Sequence, residues 1–192
     1  MNKTIVINSQ KEYKQFLKKL FFYKYYHFTH FKIKNNIKSS NLTIITNYLN
    51  IKKRRDRITY LYDETIKYLN DYYHEDLCKF VDNKCFVQRK RKDNSKYGCC
   101  FDCKLVQENK GCPTSNVSCK LLYCKPALKN IRKLRLKDID FLKCYSIFQL
   151  FILKFDFYST REQIINDLNF GLIYWLFRST IKGIRLCFKI HK

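Results

Sequence analysis

Eight of the ten cysteines lie within residues 78–124, about a quarter of the chain. Thiolate sulfur is a ligand of structural zinc and of iron–sulfur clusters. Biased codon usage would scatter cysteine along the chain, so it does not account for the clustering. We therefore take these eight as candidate metal ligands: Cys78, Cys85, Cys99, Cys100, Cys103, Cys112, Cys119 and Cys124. Cys144 and Cys187 stand apart, each in an apolar stretch, and are interpreted as ordinary small buried residues.

The spacing within this group favours a metal over disulfides. Cys100 and Cys103 are separated by two residues, which lets both sulfurs turn towards one tetrahedral ion. Gly98 and Gly111 each directly precede a cysteine, where a residue that tolerates positive φ helps to form a tight ligand turn. Adjacent Cys99 and Cys100 would form only a strained disulfide with each other. A redox thiol relay and unliganded thiols are the alternatives.

The charge around the cysteines also suits coordinated thiolates. Nearby Lys and Arg side chains offset negative charge and lower thiol pKa values; they are Lys84, Arg89, Lys90, Arg91, Lys92, Lys96, Lys104, Lys120 and Lys125. Eight thiolates could supply two zinc sites, one zinc site with spare thiols, or an iron–sulfur cluster. The gap from Cys103 to Cys112 is looser than the ligand run of small ferredoxins, so zinc is preferred over iron–sulfur. A closed four-sulfur zinc site stabilises a fold and performs no chemistry.

The order of these residues resembles a known family. Gly98-Cys99-Cys100 with Cys103, then Gly111-Cys112-Pro113, then Cys119-Lys120 with Cys124, is similar to the cysteine-cluster proteins of the YkgJ type. The resemblance covers about residues 78–126. It implies a cysteine cluster that chelates zinc or iron. No glycine-rich loop after a predicted strand offers a nucleotide or S-adenosylmethionine site.

The composition is strongly basic, with 39 Lys and Arg against 16 Asp and Glu and a formal net charge of +23. Such a field attracts nucleic acid or an anionic membrane. An A/T-rich genome would produce the same lysine excess without selection for binding. Two basic stretches, residues 88–96 and 129–137, flank the cysteines. A zinc-dependent nucleic-acid-binding protein is therefore the alternative function, and an iron–sulfur redox protein is the second alternative.

The N-terminus lacks the apolar run of a signal peptide, because Glu12 and Lys14 interrupt it. No uncharged apolar run reaches about 18 residues, the length that a membrane span requires. The longest candidate, residues 144–155, is short and is interpreted as a buried helix. These features predict a cytoplasmic protein, and thiols in the reducing cytosol stay free or bind metal.

Helical patterns occur on both sides of the cysteines. Ser9 followed by Glu12 has the form of a capping box and predicts a helix start, after which apolar residues recur at helical spacing. Residues 57–74 repeat that spacing. Residues 32–57 are polar and basic and are interpreted as a solvated surface or turn, with a phosphate-binding clamp as the alternative. Residues 127–155 are expected to be helical. Ser159 and Glu162 predict a further capping box, and Gly171 weakens the helix that follows.

These patterns predict a mainly α fold in which helices flank an irregular cysteine-rich metal-binding segment. The expected regions are a basic helical region at residues 1–77, the cysteine segment at 78–126 and a helical region at 127–192. Carboxylate pairs such as Asp63 with Glu64 lie among lysines and are interpreted as solvated helix surface. The sequence therefore favours a non-enzymatic, cytosolic metal-binding protein.

Overall fold

The computed structural model describes residues 2–26, 29–73, 116–122, 128, 131–157 and 159–190, with the side chains of 182–190 excepted. Two strands and seven α-helices form this part of the chain: β1 Asn2–Ile7, α1 Gln10–Tyr23, β2 His30–Asn35, α2 Ser40–Asn50, α3 Arg54–Tyr73, α4 Val117–Leu121, α5 Ile147–Phe155, α6 Arg161–Phe170 and α7 Leu172–Ile190. Two 3₁₀-helical turns, Leu136–Asp138 and Asp140–Cys144, precede α5. The expectation of a mainly helical protein is confirmed.

The chain begins with a strand–helix–strand unit that the sequence analysis did not predict. Strands β1 and β2 pair in parallel, with Asn2 opposite His30 and Ile7 opposite Asn35, and α1 connects them. Ile7 and Phe31 are buried on the face towards α1, while Thr4 is exposed on the other face. The N-terminal region is therefore not purely helical. Successive side chains of each six-residue strand point to opposite faces of the sheet, and one of these faces is buried.

Helix α1 begins where the capping pattern predicted. The Ser9 hydroxyl accepts a hydrogen bond from the Glu12 amide at 3.2 Å. The Glu12 carboxylate accepts from the amide of Asn8 at 2.7 Å, one residue before the position that a capping box uses. The helix start is thus confirmed, and the return bond is displaced by one residue.

The polar stretch 32–57 is more ordered and more buried than its composition indicated. It contains β2 and α2, and α2 buries Leu42 and Ile45 completely. Arg57, in the basic run that starts α3, is also buried, with its guanidinium carbon 5.6 Å from the ring centroid of Tyr48. The interpretation of this stretch as a solvated surface or turn is wrong in part: residues 52–56 are exposed, but a few well-spaced apolar residues bury one face of α2.

The expected helix at residues 127–155 is interrupted. Its described part contains the two 3₁₀ turns, an extended Tyr145 and then α5. Ser146 starts α5 through a reciprocal capping box: its hydroxyl accepts from the Gln149 amide at 3.2 Å, and the Gln149 side chain accepts from the Ser146 amide at 2.9 Å. The backbone before a capping serine is not helical, which explains the break.

Helix α5 is buried on one face only, so the interpretation of residues 144–155 as a buried helix is wrong in part. Ile152 and Leu153 are buried, whereas Ile147, Phe148 and Phe151 are exposed. None of the helices in the described ranges is long and apolar enough to cross a membrane.

The next helix boundary differs from the prediction by one residue. Thr160, not Ser159, starts α6, and its capping-box partner is Gln163 rather than Glu162. Gly171 separates α6 from α7 with φ of 97°, a conformation that L residues rarely adopt. Gly171 was expected to weaken one helix, and it is instead the boundary between two helices. The shift of the cap leaves the Ser159 side chain available for a buried polar cluster between α5, α6 and α7.

Candidate functional site

Of the eight candidate metal ligands, Cys119 alone lies in the part of the chain that the structure describes. It sits in α4, partly buried, and its amide donates to the Asn116 side chain at 2.9 Å. Seven predicted ligands lie outside the described residues: Cys78, Cys85, Cys99, Cys100, Cys103, Cys112 and Cys124. Within the described ranges, no group of three or more His, Cys, Asp or Glu side chains could hold a metal ion.

Helix α4 has a fixed place in the protein despite its five residues. The Ser118 hydroxyl donates to the Leu153 carbonyl of α5 at 2.6 Å, and Val117 is buried. The Asn116 side-chain amide donates to the Asp156 carbonyl at 2.8 Å. On its other side α4 contacts α3, where the Cys119 thiol is near the buried Tyr62. Cys119 is therefore held at a defined position on the helical core.

The two isolated cysteines were expected to be buried residues. Cys144 is buried, as expected, although it ends a 3₁₀ turn rather than lying within an α-helix. Burial raises the pKa of its thiol to about 12. A buried thiol with so high a pKa is unreactive as a nucleophile at neutral pH. The side chain of Cys187, in α7, lies outside the described residues.

A cluster of buried charges joins the last three helices. Arg178 of α7 donates to Asp156, at the end of α5, at 2.9 Å, and to Asp167 of α6, also at 2.9 Å through Nε. A second hydrogen bond from Arg178 to Asp167 completes a two-point contact. Asp156 and Asp167 are buried. Such paired geometry is the form in which arginine binds carboxylates most strongly.

Two neutral side chains complete this cluster. The Ser159 hydroxyl donates to the Asp156 carboxylate and accepts from Arg178 at 3.0 Å. Asn116 reaches the carbonyl of Asp156 and so links the cluster to α4. The cluster therefore ties the short helix that carries Cys119 to α5, α6 and α7 through hydrogen bonds.

The cluster holds two carboxylates against one guanidinium. Burial raises the pKa of Asp167 to about 6, and the Asp156 charge acts in the same direction against Arg178. Partial burial would lower the pKa of Arg178, but the two carboxylates hold it above its ordinary value. The arrangement is a buried ion pair that links α5, α6 and α7.

The raised pKa of Asp167 predicts a pH dependence of stability. From the ordinary value of 3.8 up to about 6, the unfolded chain has lost the Asp167 proton while the folded protein still retains it. The contribution of Asp167 to the free energy of unfolding should therefore fall as pH rises through this window and then level off. We expect the stability of wild type relative to Asp167→Asn, measured by urea denaturation across the window, to decrease with pH. A constant or increasing difference would contradict the assignment.

Sequence reasoning missed this cluster because its members are distant in the chain. Two signals were nonetheless available. Asp156 and Ser159 are polar residues that follow the apolar helix α5, and Arg178 is the one charged residue in the first ten of α7. A lone charge in an apolar helix needs a partner, which these aspartates provide.

The exposed charged residues behave as solvated surface, as expected for Asp63. Arg161 binds the Asp63 carboxylate at two points, 2.7 and 2.8 Å, and also contacts Glu162. Arg55 donates to Asn166 at 2.8 Å. These contacts join α3 to α6 on the outside of the protein.

Comparisons with protein-family models, with curated proteins and with solved structures found no match.

Proposed function

We propose that this protein binds a metal through the thiolates of residues 78–124, and that the metal is zinc in a structural, non-catalytic role. The observation that carries the proposal is the concentration of eight of ten cysteines in this segment, with the CxxC of Cys100 and Cys103 at its centre. Four thiolates around one zinc leave no open position for substrate. The protein is then a non-enzymatic metal-binding protein of a reducing compartment.

A metal site in this segment would stabilise the fold. Helix α3 ends at Tyr73, which is buried and accepts a hydrogen bond from the Leu134 amide at 2.8 Å. The chain is next described at Asn116, whose side chain is bonded to Asp156. Residues 74–115 thus connect two positions that are fixed by packing. Closing a long segment costs conformational entropy, and a metal that links several of its residues offsets this cost.

Cys119 is the predicted ligand at the base of this segment. Its helix is held by Asn116 and Ser118, so a metal bound to Cys119 would connect the cysteine segment to the core of the protein. The basic residues of the segment would offset the negative charge of coordinated thiolates. The zinc preference stays a proposal, and an iron–sulfur cluster is the alternative that a coloured preparation would select.

Chelation should change the reactivity of the candidate ligands towards iodoacetamide. Metal-bound thiolates are shielded, so the cysteines that bind metal, four for each zinc ion, should be alkylated faster after a chelator has removed the metal. Cys144 provides a control within the same molecule, because its burial and raised pKa protect it without any metal. Peptide mass spectrometry would report each site. Equal alkylation rates of the eight cysteines with and without chelator would contradict metal binding.

A further inference from the structure

Helix α5 carries apolar side chains on its exposed face as well as on its buried one. Ile147 is 77% exposed, and three phenylalanines lie beside it on the same side of the helix: Phe148, Phe151 and Phe155. Ile152 and Leu153 fill the buried face. A surface helix of a globular protein normally presents polar residues to solvent, so the outer face of α5 needs a partner.

Helix α7 also carries an exposed apolar face. Ile173 is 86% exposed and Phe177 is 68% exposed, and Leu176 and Ile181 lie with them on one side. The Thr180 hydroxyl on this side donates to the Leu176 carbonyl at 2.8 Å, so its proton is already hydrogen-bonded within the helix. Arg178 points the other way, into the buried cluster. The first three turns of α7 therefore present a face without charge.

Helices α5 and α7 are in contact. The ring of Phe151 on α5 meets the ring of Trp175 on α7 edge to face, with centroids 5.7 Å apart. Trp175, the one tryptophan of the chain, is buried at this contact. We call the exposed apolar side chains of the two helices together the α5–α7 apolar face; they are Ile147, Phe148, Phe151, Phe155, Ile173, Leu176, Phe177 and Ile181. Large exposed apolar areas mark interaction sites.

Basic and aromatic residues border the apolar face. Lys154 lies on α5 with its ammonium 4.9 Å from the ring centroid of Phe155. Lys24, at the end of α1, donates to the Tyr145 carbonyl beside α5 at 3.5 Å. Around Lys24 are four further exposed aromatic residues: Phe21, Phe22, Tyr25 and Tyr26.

The charge and the apolar side chains of this surface indicate which kind of partner it would bind. A second copy of the chain would bring another +23 charges, which opposes association through this face. Nucleic acid offers phosphates and flat bases, but it has no counterpart for exposed isoleucine and leucine side chains. An anionic bilayer supplies both requirements: phosphate and carboxylate headgroups for the lysines, and acyl chains for the apolar residues.

We propose that the protein binds the surface of an anionic lipid bilayer, with the α5–α7 apolar face inserted at the boundary between headgroups and acyl chains. Helices with phenylalanine, tryptophan and leucine on one side and basic residues beside them lie in this plane without crossing the membrane. This inference does not depend on the metal, because each residue of the face lies outside the cysteine segment.

Vesicle sedimentation tests the inference. We expect the protein to pellet with phosphatidylcholine vesicles that contain phosphatidylserine, and to bind far more weakly to phosphatidylcholine alone or at high salt. Brominated acyl chains should quench the fluorescence of Trp175. In the variant Ile173→Asp with Phe177→Asp, binding should fall by at least about a hundredfold, because two large apolar side chains no longer enter the bilayer.

Gln10→Asp with Gln15→Asp provides the matched control, since it makes the same change in charge at two exposed positions of α1. Its binding should fall by less than about tenfold. Equal losses in the two variants, or wild-type binding without quenching of Trp175, would overturn insertion of this face. Absence of vesicle binding would overturn the inference itself, as would a double variant that loses DNA binding but keeps vesicle binding. Circular dichroism of both variants confirms that they are folded.

Discussion

Replacement of Arg178 by methionine should lower the free energy of unfolding by about 3–5 kcal/mol, the usual effect of removing one partner from a buried ion pair. The Asp156 and Asp167 carboxylates would stay buried without their guanidinium, and the Ser159 hydroxyl would lose a donor. Methionine fills a similar volume, so the loss would report the missing charge rather than a cavity. Urea denaturation followed by circular dichroism measures the change.

Arg161→Met is the matched control for this experiment. Arg161 binds Asp63 at 2.7 Å with a geometry as good as that of Arg178, but its side chain is 44% exposed against 19% for Arg178. Exposed ion pairs contribute only about 0–1 kcal/mol. Equal costs for the two variants would show that burial does not strengthen the Arg178 cluster. An unchanged free energy of unfolding in Arg178→Met would show that the cluster does not hold the helices together.

The cost of Arg178→Met should also depend on pH. Without the guanidinium, the pKa of Asp167 would rise further, because the hydrogen bonds and positive charge that now lower it would be gone. The folded variant would then hold the Asp167 proton to higher pH than wild type does. Its stability deficit should therefore be smaller in acid and grow as the carboxylates ionise.

The second large effect concerns the metal. Cys100→Ser combined with Cys103→Ser should remove about one zinc per chain, because a four-coordinate site cannot survive the loss of two thiolates. Structural zinc contributes apparent binding free energies of about 10–16 kcal/mol in small domains, so the variant should also be less stable. Metal content by atomic emission, together with thermal denaturation, would measure both consequences.

Cys144→Ala is the control for the double cysteine variant. Cys144 is buried in the core and takes no part in the proposed site, so the control should keep its full metal content. Unchanged metal in the Cys100 and Cys103 variant would show that these two residues are not ligands. Metal loss in Cys144→Ala would show instead that the metal depends on the helical core as a whole.

Local signals in the sequence predicted several helix boundaries. Ser9 starts α1 as expected, and Gly171, which was expected to weaken a helix, lies at the end of α6 with a positive φ. These features depend on neighbouring residues only, which is why the sequence contains them. Ser159 shows where a local pattern fails: its side chain binds Asp156 and Arg178, and Thr160 takes over as the cap.

The features that the sequence did not predict depend on contacts between distant residues. Strands β1 and β2 pair across α1, and each alone, at six residues, is too short to be distinguished from a loop. The Arg178 cluster joins residues from four separate elements. The apolar run that contains α5 was taken to indicate a buried helix, but an apolar run does not show how many sides of a helix are covered. The exposed apolar face was therefore not predicted from the sequence.

The candidate site likewise has local features that the sequence predicts and tertiary features that it does not. Clustering and spacing of cysteines predict metal binding, because ligand type and chain separation are local properties. The position of Cys119 on a helix fixed by Asn116 and Ser118 is a tertiary property that the spacing could not reveal.

Metal analysis of the full chain, purified without oxygen and combined with its visible absorption spectrum, tests metal binding most directly. We predict about one or two zinc ions per chain and no visible absorption, since zinc is redox-inert with a filled d shell and each site takes four of eight candidate thiolates. Iron with acid-labile sulfide would contradict the zinc assignment and indicate a redox protein. A chain purified without any bound metal, and unable to take up zinc, would contradict the proposed function.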